Sequence, residues 1–333
     1  MYNGQPRQWS GQALPVTPVL FWHHIEGSSR ALYSNSIPQP KLTQGLSRSN
    51  KLSGILITYY FLTSTEPSIL NTMSLILTKT ENNIHTIILN RPEKYNSFTE
   101  PMALEMQEAL KKAESDEIRC VLLKANGKAF SGGQDLPEVV NRTENEKEYE
   151  LSETVRTSYN PIIRAIRKLP KPVVCAVQGT AAGAGANIVF ACDIVVASNE
   201  SLFVQAFSKI GLIPDSGGTF FLPRLLGLAR TNAFYLLDEK ISAERAVEIG
   251  LIYKSVKPGQ LDEETQSIAY KLASMPIKAF GLYKDAINQT FENDLDQQLS
   301  LEAALQSEAG KTDDYREGIA AFLEKRKPTF KGK

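Results

Sequence analysis

The chain has 333 residues, 42% of them hydrophobic, with 37 basic and 37 acidic side chains. Those numbers fit a globular protein with one or two sizeable cores. The balanced charge argues against nucleic acid or a membrane surface as the principal partner, since both reward a basic excess. Cys120, Cys175 and Cys192 are scattered through apolar surroundings. They read as reduced core residues rather than a disulfide or zinc framework, so no metal site and a cytoplasmic location are expected. No run reaches the roughly 18–20 apolar residues of a membrane span, and the longest candidate, LSGILITYYFL at 52–62, is too short and carries polar residues. None of the three histidines (His23, His24, His85) accompanies a Ser or Cys nucleophile motif. Acid–base work is therefore expected of carboxylates or the backbone.

Residues 1–72 differ in composition from the rest. They hold both tryptophans, two of the histidines and only two acids, Glu26 and Glu66. No 3.6 or 2.0 period emerges before Met73, the next methionine after Met1. A disordered or mis-assigned extension is the preferred reading. A targeting segment is the alternative, on the strength of Arg7, Arg30 and Arg48 in an acid-poor stretch. Patterned sequence then begins. LILTKT and IHTIILN predict a hairpin around ENN, and a helix is expected near Thr99 with Met102, Met106, Ala109, Leu110 and Ala113 on one face. RCVLLKA and KPVVCAV read as buried strands, a charged helix or lid is expected over about 144–168, and DIVVAS and LFV add short strands. Gly250 is the expected C-cap of SAERAVEI, and helices fill 262 to the end. The expected organisation is an α/β core over 73–260 and a helical region over 261–333.

Two glycine-bearing loops follow buried strands. In AFSGGQDL (129–136), Gly132 and Gly133 allow backbone to approach a ligand closely, or serve only a tight connection. No Gly-Lys-Ser/Thr and no G-x-G-x-x-G spacing accompanies them, which disfavours a phosphate- or nucleotide-binding protein. The second loop, GTAAGAGANI (179–188), opens a helix of small residues. Its outward N–H groups suit an anion or a developing carbonyl oxyanion, and close helix–strand packing explains the same residues. A single carboxylate, Asp215, stands in GLIPDSGGT, either as a turn residue after Pro214 or as an acid whose basicity an apolar loop would raise.

The runs LNRPEKYNSF, AFSGGQDL, QGTAAGAGANIVFACDIVVAS, FSKIGLIPDSGGT and YREGIAAFLEKRKPTF, in that order over about 78–333, resemble the crotonase (enoyl-CoA hydratase/isomerase) superfamily. FSGGQDL, AFSKIGLIPDSGGT and the C-terminal DYREG…AFLEKRKPTFKGK look most like its branch of ring-epoxide acyl-CoA isomerases. The resemblance implies a spiral of ββα units with a C-terminal helical trimerisation region. It implies a homotrimer or homohexamer whose C-terminal helices cover the active site and pack between subunits. It also implies an acyl-CoA substrate with no added cofactor.

Carried onto this chain, the oxyanion-hole donors fall on the backbone N–H groups of Gln134 and Ala184. The CoA adenine falls beside Ser131, Gly132, Asp135 and Leu136, with Asp135 ordering the loop. Lys94 lies near the nucleotide, as a phosphate partner or a solvated charge. The two glutamates that activate water in hydratases correspond to Asn187 and Phe207, neither of which serves as a base. Asp215 is then the expected proton carrier of an isomerase acting through an enolate, on a ring epoxide or a 3-enoyl thioester. An enoyl-CoA hydratase and a non-catalytic acyl-CoA-binding protein are the alternatives.

Overall fold

A computed structural model describes residues 74–146 and 148–333, so the expectations for residues 1–72 lie outside the described residues. The hairpin forms as predicted. β1 (Ile76–Glu81) and β2 (Ile84–Leu89) pair antiparallel, and Asn82 and Asn83 make the two-residue turn at positive φ, 51° and 61°. The Thr99 hydroxyl caps α1 (Glu100–Lys112) by accepting from the Met102 N–H, and α1 buries Met102, Met106, Ala109 and Leu110.

β3 (Cys120–Ala125) follows, and then the helices depart from expectation. Instead of one charged helix over 144–168 there are α2 (Leu136–Asn145), α3 (Leu151–Thr154), a five-residue π turn (Val155–Tyr159) and α4 (Asn160–Lys168). The physical cause of the early start is Asp135. Its carboxylate accepts from the Glu138 N–H as N-cap, and Pro137 occupies the first turn, where its missing N–H costs nothing.

β4 (Val173–Val177), β5 (Thr180–Ala182), α5 (Gly183–Ala191), β6 (Ile194–Ser198) and β7 (Leu202–Val204) continue the chain. After them come α6 (Gly218–Leu236), β8 (Lys240–Ser242), α7 (Ala243–Glu248) and β9 (Lys254–Val256). Four helices close the chain: α8 (Leu261–Ala273), α9 (Ile277–Gln289), α10 (Leu295–Ala309) and α11 (Asp313–Leu323). Gly250, at φ 78°, ends the α7 segment as predicted.

The strands form a six-stranded sheet, β1-β2-β3-β4-β6-β9, parallel except for the β1/β2 hairpin, and a small sheet, β5-β7-β8. Strands buried on both faces read as continuous apolar runs, as VVCAV does in β4. One face packs Val121, Leu123, Val173 and Cys175 with Met102, Met106 and Ile162 of α1 and α4. The other packs Ile84, Cys120, Leu122, Val174 and Val196 with Leu261, Ala269 and Ala273 of α8. The helical region thus begins as part of the core, and residues 74–333 lie within one compact unit. Among the described residues no helix is long and apolar enough to cross a membrane.

A partly buried ion cluster fixes the far end of α5. Asp193 pairs with Lys284 of α9 at 2.6 Å and Arg167 of α4 at 3.0 Å, and accepts the Val173 N–H at 2.9 Å. Alongside it α9 approaches the backbone closely: a Cβ on Gly281 would lie 2.9 Å from both Pro170 Cβ and the Pro170 carbonyl oxygen. Gly281→Ala therefore lowers stability by about 1–3 kcal/mol through overpacking, although helix propensity alone favours it by about 1 kcal/mol. A urea midpoint equal to or above that of the unaltered protein would contradict this packing.

Candidate active site

β3 and β4 are parallel neighbours, with Val121, Leu122 and Leu123 opposite Val173, Val174 and Cys175. Their C-terminal loops consequently leave the sheet at the same edge, the usual place for a site in a parallel sheet. The loops are then stitched together. The Ser131 N–H donates to Thr180 O at 3.2 Å and the Ala182 N–H to Ser131 O at 2.9 Å, a parallel bridge beyond the sheet. On its other side the first loop is held to Phe98, whose N–H donates to Gly133 O at 2.7 Å and whose carbonyl accepts from the Asp135 N–H at 2.9 Å. Gly133 has φ 88°, and a Cβ there would lie 3.0 Å from Ala182 O and 3.7 Å from Ala184 N. Only glycine tolerates both that dihedral and that approach.

The stitching leaves donors over on both loops. Gly132, Gly133 and Asp135 give their N–H groups to Tyr95 O, Ser131 Oγ and Phe98 O, whereas the Gln134 N–H has no protein acceptor among the described residues. The Ala184 N–H is in the first turn of α5 with those of Gly183 and Gly185, where a helix supplies no acceptor, and no loop carbonyl among the described residues takes it. Gln134 and Ala184 both line one cavity of about 300 Å³. Its walls are mainly apolar, from Leu136, Val139, Leu151, Val155, Phe207 and Leu212, and among the described residues Asp215 is its one carboxylate. Two N–H donors, an apolar chamber and an acid can polarise a carbonyl and move a proton on the carbon beside it.

Asp215 is presented by a strained turn, with Ser216 at φ 49° and Gly217 at φ 79°. The Ser216 hydroxyl donates to Asp215 Oδ1 at 2.8 Å, and Asn187 Nδ2 donates to the Asp215 carbonyl at 2.8 Å. Asn187 is held in turn by Gln205, whose Nε2 donates to Asn187 Oδ1 at 3.0 Å. Asn187 and Gln205 are wholly buried, and a Cβ on Gly218 would come within 2.5 Å of Asn187 Nδ2, so glycine there lets the clamp close on the turn. Burial pushes the Asp215 carboxyl above its ordinary value, and the Ser216 hydroxyl only partly offsets that.

Two positions expected to separate hydratases from isomerases are now explained in space. Asn187 braces the Asp215 turn, and Phe207 forms apolar wall. Of the other expected site residues, Gly132 and Leu136 line the cavity, whereas Ser131, Asp135 and Lys94 do not. Ser131 is buried, donating its hydroxyl to Asn96 O at 2.8 Å. Asp135 pairs with Arg91 at 2.6 Å. Burial raises its carboxyl, but the Arg91 and Glu138 hydrogen bonds outweigh that and hold it below the usual carboxylate range. Lys94 is exposed on the turn Pro92–Lys94. The helices from Leu261 on, expected to cover the site, contribute no lining residue within the chain. Sequence reading missed Tyr159, Gln205 and Lys209, all of which line the cavity. Tyr159 ends the π turn, and no local pattern announces a five-residue turn inside a helix.

The enoyl-CoA hydratase/isomerase family profile matches residues 79–333. The chain belongs to that family. It is 47% identical over 262 residues to a 1,2-epoxyphenylacetyl-CoA isomerase of Escherichia coli, covering 78% of this chain and all of the relative. It is 36% identical to a trans-2-decenoyl-(acyl-carrier-protein) isomerase of Streptococcus mutans, covering 78% of this chain and 98% of the relative. Among solved structures, an enoyl-CoA hydratase from Polaromonas sp. JS666 superposes with a TM-score of 0.71 at 34% identity, over 77% of this chain and 99% of the other. The crotonase fold expected from the motifs is therefore shown, and the family's two activities, hydration and isomerisation, are the ones to be separated.

The raised pKa of Asp215 has a consequence for stability. The folded protein holds this proton more tightly than the unfolded chain. Its contribution is therefore most favourable below the unfolded value and is lost as pH rises through the folded one. Asp215→Asn does not titrate, so the stability of the variant minus that of the unaltered protein should grow as pH rises from the ordinary aspartate range. Urea unfolding across that range checks it, and a flat or falling difference would contradict the burial assigned to Asp215.

Proposed function

We propose that the protein is an acyl-CoA isomerase that works through an enolate. The thioester oxygen lies between the N–H groups of Gln134 and Ala184, and Asp215 takes a proton from the α-carbon and returns it elsewhere on the acyl group. Asp215 both takes and returns the proton and the backbone N–H groups carry the oxyanion, so the proposed route calls on no cofactor or metal. Two substrates suit this chemistry. One is a 3-enoyl thioester, which becomes a 2-enoyl thioester when the proton returns to the γ-carbon. The other is a ring-epoxide acyl-CoA, the substrate type in the name of the Escherichia coli relative.

The observation that carries the reading is the single acid in the chamber. Among the described residues Asp215 is the one carboxylate lining it. Hydration needs a base to activate water, and the positions where hydratases carry glutamates hold Asn187, occupied in bracing a turn, and Phe207. A hydratase is accordingly the weaker reading, and a binding protein without turnover would leave the raised Asp215 without a use. We further propose a homo-oligomer, trimer or hexamer, because α10 and α11 expose Leu295, Leu299, Phe322 and Leu323.

Conversion of 3-hexenoyl-CoA, followed by ultraviolet absorbance of the conjugated product, and consumption of the ring-epoxide thioester test the activity. We expect turnover of at least one, with hydration of crotonyl-CoA weak or absent. Asp215→Asn should lower kcat by about 10²–10⁴-fold, the usual range for a general acid–base group. Robust hydration of crotonyl-CoA, or full isomerase turnover by a folded Asp215→Asn variant, would overturn the proposal.

A further inference from the structure

We propose that Tyr159 is a positioning residue for this reaction: its hydroxyl holds the Gln134 side chain and thereby aims the Gln134 backbone N–H at the thioester oxygen. The inference rests on the isomerase reading for its chemistry, but its geometry stands independently.

A residue that serves only through its N–H has no need of side-chain contacts. Gln134 nevertheless has its amide engaged at both ends. Oε1 accepts from the Tyr159 hydroxyl, and Nε2 donates to Phe98 O and to Glu138 Oε2, each at 3.3 Å. The amide orientation follows from its partners, since the nitrogen faces two acceptors and the oxygen faces a hydroxyl. Turning it over would place two pairs of acceptors together. Gln134 is thus fixed through its amide nitrogen by Phe98 and by Glu138 of α2, and through its amide oxygen by Tyr159.

Tyr159 is itself well fixed. It is 2% exposed, lines the cavity, and packs edge-on against Phe98 with ring centroids 6.0 Å apart. It closes the π turn Val155–Tyr159, and Val155 at its other end lines the same cavity. One extra residue in the turn rotates these two side chains relative to a regular helix, and such turns are frequent at functional sites. Burial first, and then the Asp215 carboxylate, pushes the phenol well above its ordinary value. Tyr159 therefore remains a hydrogen-bond donor while Asp215 carries its charge. The acyl group, packed against Tyr159, touches the side chain that sets one of its two carbonyl donors.

Tyr159→Phe keeps the ring and removes the hydroxyl. The readout is the thioester carbonyl stretch of bound crotonyl-CoA, measured by infrared difference spectroscopy, because that frequency reports donor alignment and does not require turnover. We expect the frequency to move back toward that of free crotonyl-CoA. With 3-hexenoyl-CoA or the ring-epoxide thioester, whichever is turned over, we expect kcat to fall about tenfold with KM within about twofold, as for one interaction made in the transition state. Gln134→Met, which removes the acceptor and spares the tyrosine, should reproduce the shift, and the double variant should be no worse than either single one. An unaltered carbonyl frequency in a folded Tyr159→Phe variant, additive effects in the double variant, or no bound signal from the unaltered protein would overturn the inference. Failure of the isomerase reading is distinguishable. It would show as no turnover by the unaltered protein while the carbonyl frequency still responded to Tyr159.

Discussion

The parallel pairing of β3 with β4 is the constraint on which the site depends. It brings two strand-to-helix loops out of one edge of the sheet, and the Ser131–Ala181 bridge carries the pairing into the loops. Backbone groups within a sheet satisfy one another, so the place where pairing stops is where donors become available. Here it stops unevenly. Gln134 is left with a free N–H between engaged neighbours, Ala184 has its N–H free in the first turn of α5, and both residues line an apolar chamber. Preorganised donors in a dry site need no rearrangement as charge develops, which makes them effective toward an oxyanion.

The acid is held by a different device. Asp215 is presented by a turn with two left-handed residues, clamped through its carbonyl by the buried Asn187–Gln205 amide pair. A buried polar pair is costly unless its hydrogen bonds are made; these two amides join one another and the turn, and Gln205 Oε1 alone is left without a partner among the described residues. The clamp gives the Asn187 amide a structural use at the position where the family resemblance led a hydratase base to be expected: it supports the turn that carries Asp215.

Much of the fold was legible in the sequence because local and tertiary signals agreed. The Asn82–Asn83 turn, the Thr99 cap, the apolar face of α1 and the run VVCAV each carry their own physical signature. The two glycine loops and Asp215 were each open to a plain structural reading, and it was the family resemblance that set them together as a candidate site. The helix at 136–145 carried a signal too, Asp135 followed by Pro137, but the glycines before it drew the reading toward a loop. Tyr159 and Gln205 were not legible. Each reaches the cavity through a tertiary arrangement, a π turn in one case and a buried amide pair in the other, and neither leaves a periodicity in the sequence. The roles of Asn187 and Phe207 were visible only as departures from hydratase chemistry, and the packing of Asn187 against Gly218 supplies the reason.

The central claim is that this site forms an enolate with Asp215 as the base. Exchange of the α-protons of hexanoyl-CoA with deuterated water, followed by nuclear magnetic resonance, tests it without reference to which substrate is natural. The account predicts α-deuteration by the unaltered protein and its loss in Asp215→Asn, with thioester binding retained. Equal exchange by both proteins, or none by a protein that binds the thioester, would contradict it.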